Sequence, residues 1–151
     1  MPRRAERLSA DERLLLDTHI ALWLDSGDER LASATRTAID RCWQSGGTVC
    51  LSAVTVWEIA LLIDTGRIEL DLPIEAWIER FQNRPGIEPV PLDYRAACLS
   101  YQLHHLDHRD PADRMLIATA IGLACPLVTY DERILRFAKR HGRRYGFLAT
   151  A

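Results

Sequence analysis

Residues 104–123 read HHLDHRDPADRMLIATAIGL, and this stretch decides the fold. Pro111 suits the first position of a helix, since its fixed φ is helical and its missing N–H would be unpaired there. That makes Asp110 the N-cap and Asp113 the third helical residue. Both carboxylates then sit at the positive end of the helix dipole. Behind them Met115, Leu116, Ile117, Ala118, Ala120, Ile121 and Leu123 are apolar on nearly every side, so the helix is expected to pack on two faces. The rest of the chain reads as its partners.

Upstream, Leu14, Leu15 and Leu16 form an uninterrupted apolar run ending in Asp17, as in a strand buried on both faces. Residues 9–12 read as a local turn before it. Residues 18–25 have a helical pattern through Ile20, Trp23 and Leu24. After a polar break, residues 31–45 repeat that pattern through Leu31, Ala34, Ala38, Ile39 and Cys42 until Gly46-Gly47 ends it. Residues 48–51 suit a strand, and Ser52 caps a helix over 54–64 that stops at Gly66. Residues 73–83 read as an amphipathic helix, Pro85-Gly86 as a turn, and 87–92 as an edge strand because of its prolines. Asp93 caps a helix reaching about residue 103. Downstream of the central helix come a buried strand at 125–129, a short helix at 131–138 and a last edge strand at 145–148. Short apolar strands separated by helices predict an α/β domain with a mostly parallel sheet and helices on both faces.

The 151 residues suffice for one domain burying roughly 70% of its unfolded surface. A hydrophobic fraction of 48% and a charged fraction of 26% are those of an ordinary soluble protein, and the net charge of −2 does not announce a nucleic-acid binder. Local distribution says more. Arg133, Arg136, Lys139, Arg140, Arg143 and Arg144 crowd the last twenty residues, either as a solvated helix face or as a surface for phosphates. Cys42, Cys50, Cys98 and Cys125 have no metal-ligand spacing and are expected to be reduced core thiols of a cytoplasmic protein. Neither an apolar signal-peptide core nor a run of about 20 apolar residues occurs, so secretion and membrane insertion are not expected.

The carboxylates carry the chemistry. Asp17 directly follows the first strand, and Asp131 follows Thr129 at the end of a later one. Ligands of open parallel sheets bind outside the carboxyl ends of the strands. Glu58 lies within VTVWEIALLI and shares a helix face with Val54, Leu61 and Leu62, where an unpartnered carboxylate is costly. Either an Arg or a divalent cation held jointly with Asp17 and Asp113 has to compensate it. Converging carboxylates repel one another unless hard positive charge lies among them, which favours Mg²⁺ or Mn²⁺. Such ions polarise phosphodiesters and activate water. Against this stands a simpler reading in which each acid caps a turn or a helix. No zinc, P-loop or serine-nucleophile pattern competes, and His19, His104, His105 and His108 read as solvated or capping residues.

Four motifs, LLLDTHIALW, SAVTVWEIALLIDTGRIELDLP, HRDPADRMLIATA and PLVTYDERI, resemble in order and spacing the PIN-domain ribonucleases, specifically the VapC-type toxins of toxin–antitoxin pairs. The match runs from Leu14 to about Phe147, leaving residues 1–13 as an N-terminal extension and 14–151 as the PIN domain. The resemblance implies a three-layer α/β/α sandwich and an acidic site for Mg²⁺ or Mn²⁺ formed by Asp17, Glu58, Asp113 and Asp131. Asp17 and Asp113 are then the most direct ligands. Asp110 is a supporting or capping companion, and Thr18 and Thr129 orient water or a carboxylate. The chain departs from the family in its longer N-terminus and in Ala112, where Phe is frequent, which bears on packing near Asp113.

The function so implied is metal-dependent endoribonucleolysis of an RNA substrate, with Arg133, Arg136, Lys139 and Arg140 guiding phosphates. The implied partners are a VapB-type antitoxin that wraps the toxin and blocks its site, and a second copy in a homodimer or hetero-oligomer. The alternatives are a PIN nuclease of RNA maturation, whose expression would not arrest growth, and a non-catalytic PIN-fold binding module. A phosphoacceptor domain is a further class, but Asp17-Thr-His lacks a D-x-D nucleophile pattern.

Overall fold

A computed structural model describes residues 12–151, so the expected turn and most of the N-terminal extension lie outside the described residues. Among the described residues, five strands form one sheet: β1 Arg13–Leu16, β2 Thr48–Ser52, β3 Ile87–Val90, β4 Leu127–Val128 and β5 Ala149–Thr150. Their spatial order is β3-β2-β1-β4-β5, and every described pair is parallel. Seven helices within the described residues connect them: α1 Thr18–Ser26, α2 Ser33–Gln44, α3 Ala53–Asp64, α4 Ile74–Gln82, α5 Tyr94–Ser100, α6 Pro111–Leu123 and α7 Glu132–Tyr145.

Strand alternation sends neighbouring side chains to opposite faces, and the core divides accordingly. Leu15, Cys50 and Leu127 face a layer built from α5, α6 and α7, where Leu116, Ile117, Ile134 and Phe137 are buried. Leu16, Val49, Leu51 and Val128 face the other layer, with Ile20 of α1, Ile39 of α2 and Trp77 and Phe81 of α4. Helix α3 serves both, giving Val54 to the first cluster and Ile59 to the second. The result is the expected α/β/α sandwich. Helix α6 is packed against α3, α5 and β4, which is why its sequence is apolar almost all round.

Pro89 places β3 at the sheet edge, where its missing N–H breaks no ladder on the solvent side. The C-terminal region differs from the sequence expectation. Helix α7 does not stop near residue 138 but continues to Tyr145, and the last strand is Ala149–Thr150 rather than 145–148. The extension is possible because Gly142 is buried under the following turn, where an added Cβ would meet the Phe147 carbonyl oxygen at 2.5 Å. Gly146, with φ +64°, then ends the helix in the left-handed conformation. Helix α5 is shorter than expected, ending at Ser100, so that Leu103 and Leu106 can turn back into the core.

One ion-paired knot ties α4 to α1. Asp25 accepts from Trp77 Nε1 and Arg80 Nη2, each at 2.9 Å, and from Arg84 Nη2. All four cysteines are free; Cys98 is exposed, contrary to expectation, because it lies on the outer side of α5. Burial pushes the Cys50 and Cys125 thiols up to about 12 and about 11. Among the described residues, no helix is long and apolar enough to cross a membrane.

Candidate metal centre

The strand order reverses at β1, whose neighbours are β2 on one side and β4 on the other. Chains leaving the carboxyl ends of β1 and β4 diverge there and leave a crevice, the usual ligand position of an open parallel sheet. Asp17 ends β1 and caps α1. Its Oδ1 accepts from Thr18 N at 2.7 Å and its Oδ2 from Thr129 Oγ1 at 2.6 Å, so the residue following β4 fixes the acid following β1. Thr129 Oγ1 also accepts from Asp131 N at 3.1 Å. One buried hydroxyl therefore ties together two of the expected acids.

Glu58 and Asp113 enter from helices. Ser52 caps α3 through Val54 N at 3.0 Å, which places Glu58 one and a half turns in, facing the crevice. Asp110 caps α6, accepting from Asp113 N at 3.1 Å. One carboxylate oxygen each from Glu58, Asp110 and Asp113 lies within 4.8 Å of the others. The tightest group thus includes Asp110, which the sequence suggested only as a companion, whereas Asp17 and Asp131 stand around that trio. Glu58 is half-buried rather than sunk among apolar side chains: Val54 is buried, but Trp57 and Leu61 are exposed.

The electrostatics record this crowding. Asp113, only 9% exposed, is pushed up to about 8, first by burial and then by the charges of Asp110, Asp17, Asp131 and Glu58. Burial also raises Asp17 and Glu58; hydrogen bonds from Thr129 and Thr18 oppose it at Asp17, and the nearby Thr18 hydroxyl opposes it at Glu58. Asp131 goes the other way. Burial would raise it, but the Arg133 guanidinium and the Arg133 and Ile134 amides bond its carboxylate and hold it below the ordinary value.

Donor chemistry provides a test of fit. Every converging group is a carboxylate oxygen, the set preferred by hard divalent cations, and soft thiolate or imidazole atoms are not in the trio. The proton that Asp113 retains relieves the same repulsion a cation would relieve, and cation binding would displace it. The residues therefore fit Mg²⁺ or Mn²⁺. The buried Thr18 hydroxyl, beside Glu58, is a further oxygen at the rim of the cluster.

Sequence reasoning missed His108. It is 8% exposed rather than solvated, and its Nε2 lies 3.7 Å from Asp113 Oδ2. The only signal available was its place two residues before the Asp110 cap. His104 and His105 are exposed, as expected, and His105 Nδ1 shares a 2.6 Å hydrogen bond with Tyr145 Oη. The candidate phosphate-guiding residues lie on α7. Arg133, Arg136, Lys139, Arg140, Arg143 and Arg144 are all exposed and recur at helical spacing opposite the buried Ile134 and Phe137. Among the described residues, only Arg133 of this set pairs with an acid, Asp131 at 3.3 Å.

Comparison with known proteins adds an independent line. The family described as PIN domain matches residues 14–140. Ribonuclease VapC22 of Mycobacterium tuberculosis is 31% identical over 130 residues, covering 86% of this chain and 94% of that one. Among solved structures, VapBC2 of Rickettsia felis, bound to a DNA fragment from its promoter, superposes with a TM-score of 0.63 at 13% identity, covering 91% of this chain and 97% of its own. FitAcB of Neisseria gonorrhoeae does so with 0.54 at 20% identity, covering 91% and 96%. At these identities the two structures speak for the fold.

Proposed function

The chain belongs to the PIN-domain family, in its VapC-type branch, and from that premise we propose that it is a Mg²⁺- or Mn²⁺-dependent endoribonuclease and the toxin of a toxin–antitoxin pair. The observation that carries this reading is the convergence of Glu58, Asp110 and Asp113 within 4.8 Å, beside Asp17 and Asp131, at the crevice of the sheet. Asp17, Glu58, Asp113 and Asp131 are the acids that would hold the metal and serve catalysis, and Asp110, whose carboxylate converges with those of Glu58 and Asp113, would add a further oxygen to that set. A bound divalent cation supplies charge neutralisation for a phosphodiester and a more acidic water.

The protein's own residues do the rest. Thr129 and the Thr18 amide hold both oxygens of Asp17, so this carboxylate meets the site in one orientation. Arg133 neutralises Asp131 from outside and leaves its own exposed edge toward solvent, where a phosphate would approach. From there Arg136, Lys139 and Arg140 continue along α7, a helix of 14 residues and therefore about 21 Å, as a guide for RNA. Residues 14–151 form the catalytic domain, with 1–13 as an extension. The partner is a VapB-type antitoxin that covers the acidic crevice, in a cytoplasmic complex containing one or two copies of this chain.

The test is incubation of total cellular RNA with purified protein and Mg²⁺ or Mn²⁺, beside EDTA and the Asp113→Ala variant. Discrete fragments that need both metal and Asp113 support the reading, and end sequencing identifies the target. Metal binding without cleavage, and without growth arrest on expression, would replace it by the binding-module alternative.

A further inference from the structure

We infer that His108 is the positioning residue of the acidic cluster, its Nε2–H donating to Asp113 Oδ2 and so setting the plane in which Asp113 presents its other oxygen. The inference rests on reading the cluster as a metal centre, and it concerns a residue outside the four acids.

Three observations carry it. His108 is buried, and among the described residues neither ring nitrogen has a hydrogen-bond partner. A buried polar group left unpaired loses about 1–3 kcal/mol, so a ring serving only to fill this space would be better replaced by an apolar one. Next, the ring is aimed: Nε2 stands 3.7 Å from Asp113 Oδ2, and closing about 0.8 Å brings the pair to hydrogen-bond length. Finally, the backbone that carries it is fixed. The His108 carbonyl accepts from Arg114 Nε at 3.2 Å, and the same guanidinium binds the carbonyls of Ser100, Leu103 and Leu106.

Carboxylates that ligate metals are themselves held by hydrogen bonds from surrounding groups, and loss of such a partner typically costs 10–100-fold in metal affinity or activity. Asp17 has such holders in Thr129 and Thr18. For Asp113, the side chain nearest to that role is His108. A neutral imidazole with its proton on Nε2 suffices, and with Oδ2 engaged, Oδ1 is the oxygen left to turn toward the other carboxylates.

The experiment uses the full chain and three variants, His108→Phe, His108→Gln and His108→Asn. A glutamine amide nitrogen falls where Nε2 was, whereas an asparagine nitrogen falls where Nδ1 was. Calorimetric titration with Mn²⁺ is expected to show affinity weakened about 10-fold or more for Phe and Asn, and restored toward wild type for Gln. RNA cleavage should lose kcat in the first two with the KM for RNA unchanged. In the metal-free protein at about pH 9.5, where Asp113 has lost its proton, nitrogen NMR of His108 should report the Nε2–H tautomer in wild type and lose that preference in Asp113→Ala. Wild-type Mn²⁺ affinity in Phe, Gln no better than Asn, or an Nδ1–H tautomer in wild type would each overturn the inference. If Phe does not fold, the Gln and Asn pair still decides. A wild type that binds no Mn²⁺ would refute the metal centre itself, and the tautomer would then decide the contact alone.

Discussion

At the scale of single residues, the site is a contest between burial and charge. Asp113 at about 8 lies above the 3.8 of an exposed carboxyl, so the folded protein holds this proton more tightly than the unfolded chain does. Its contribution to stability is therefore complete below about pH 4 and is lost as pH rises through about 8. In EDTA, the wild type is expected to lose melting temperature relative to Asp113→Asn on going from about pH 5 to pH 8, and excess Mg²⁺ should reverse the order at the upper end. Thermal scans at a series of pH values check this. Asp17→Asn keeps an acceptor for the Thr18 amide and should fold with a melting temperature close to wild type, while metal-dependent cleavage falls at least ~100-fold, the upper end of what even outer partners of a metal contribute. Parallel circular dichroism and cleavage assays separate the two effects. The four acids were legible because each stands at the end of an apolar run or on a helix face, which local pattern reveals. The closeness of Asp110 to Glu58 was not, since it depends on where α3 meets α6. Nor was the burial of His108, which is decided by packing around its loop rather than by the loop's own polar sequence.

At the scale of elements, Arg114 governs more structure than its place in an apolar helix suggests. Its guanidinium gathers the carbonyls of Ser100, Leu103, Leu106 and His108, at 2.9 to 3.4 Å, and thereby holds the segment between α5 and α6 against the helix that carries Asp113. Arg114→Ala should destabilise the fold by about 2–3 kcal/mol, on the scale of charge-assisted hydrogen bonds to otherwise unpaired carbonyls. Arg114→Lys should recover less than half of that, because an ammonium cannot span four acceptors arranged around a plane. Urea unfolding monitored by tryptophan fluorescence measures both. This knot also explains why the end of α5 was misread. Apolar spacing through Leu99 and Leu103 fits a continuing helix, but the carbonyls are claimed from outside and the chain turns at Tyr101. The end of α7 was misread for the opposite reason. Its apolar signal fades after Ala138 while the polar face continues, and the seat of Gly142 beneath the Phe147 carbonyl belongs to tertiary packing.

For the whole molecule, a net charge of −2 conceals two opposed surfaces, an acidic crevice and a basic helix that begins at its edge. Replacing Arg136, Lys139 and Arg140 together by Ala should raise the KM for RNA with little change in kcat, and should flatten the logarithmic salt dependence of binding by about 2, as expected for three lost contacts to a single strand. Cleavage and filter binding over a salt series read both. Arg133 is left out of that set because it also serves Asp131. The class of fold could be inferred from sequence, since short apolar strands alternating with helices have few other arrangements, and prolines marked β3 as an edge, but the order of the inner strands could not, because β1, β2 and β4 are largely apolar on both faces and each suits any interior place. That order has a temporal side. Strand β1 obtains its second neighbour only from β4, and the Asp17–Thr129 hydrogen bond joins residues 112 positions apart. Long-range parallel pairing forms late in folding. While it is being translated, the chain therefore holds its acids on disconnected segments, and the crevice comes into existence only after β4 and Asp131 have been made.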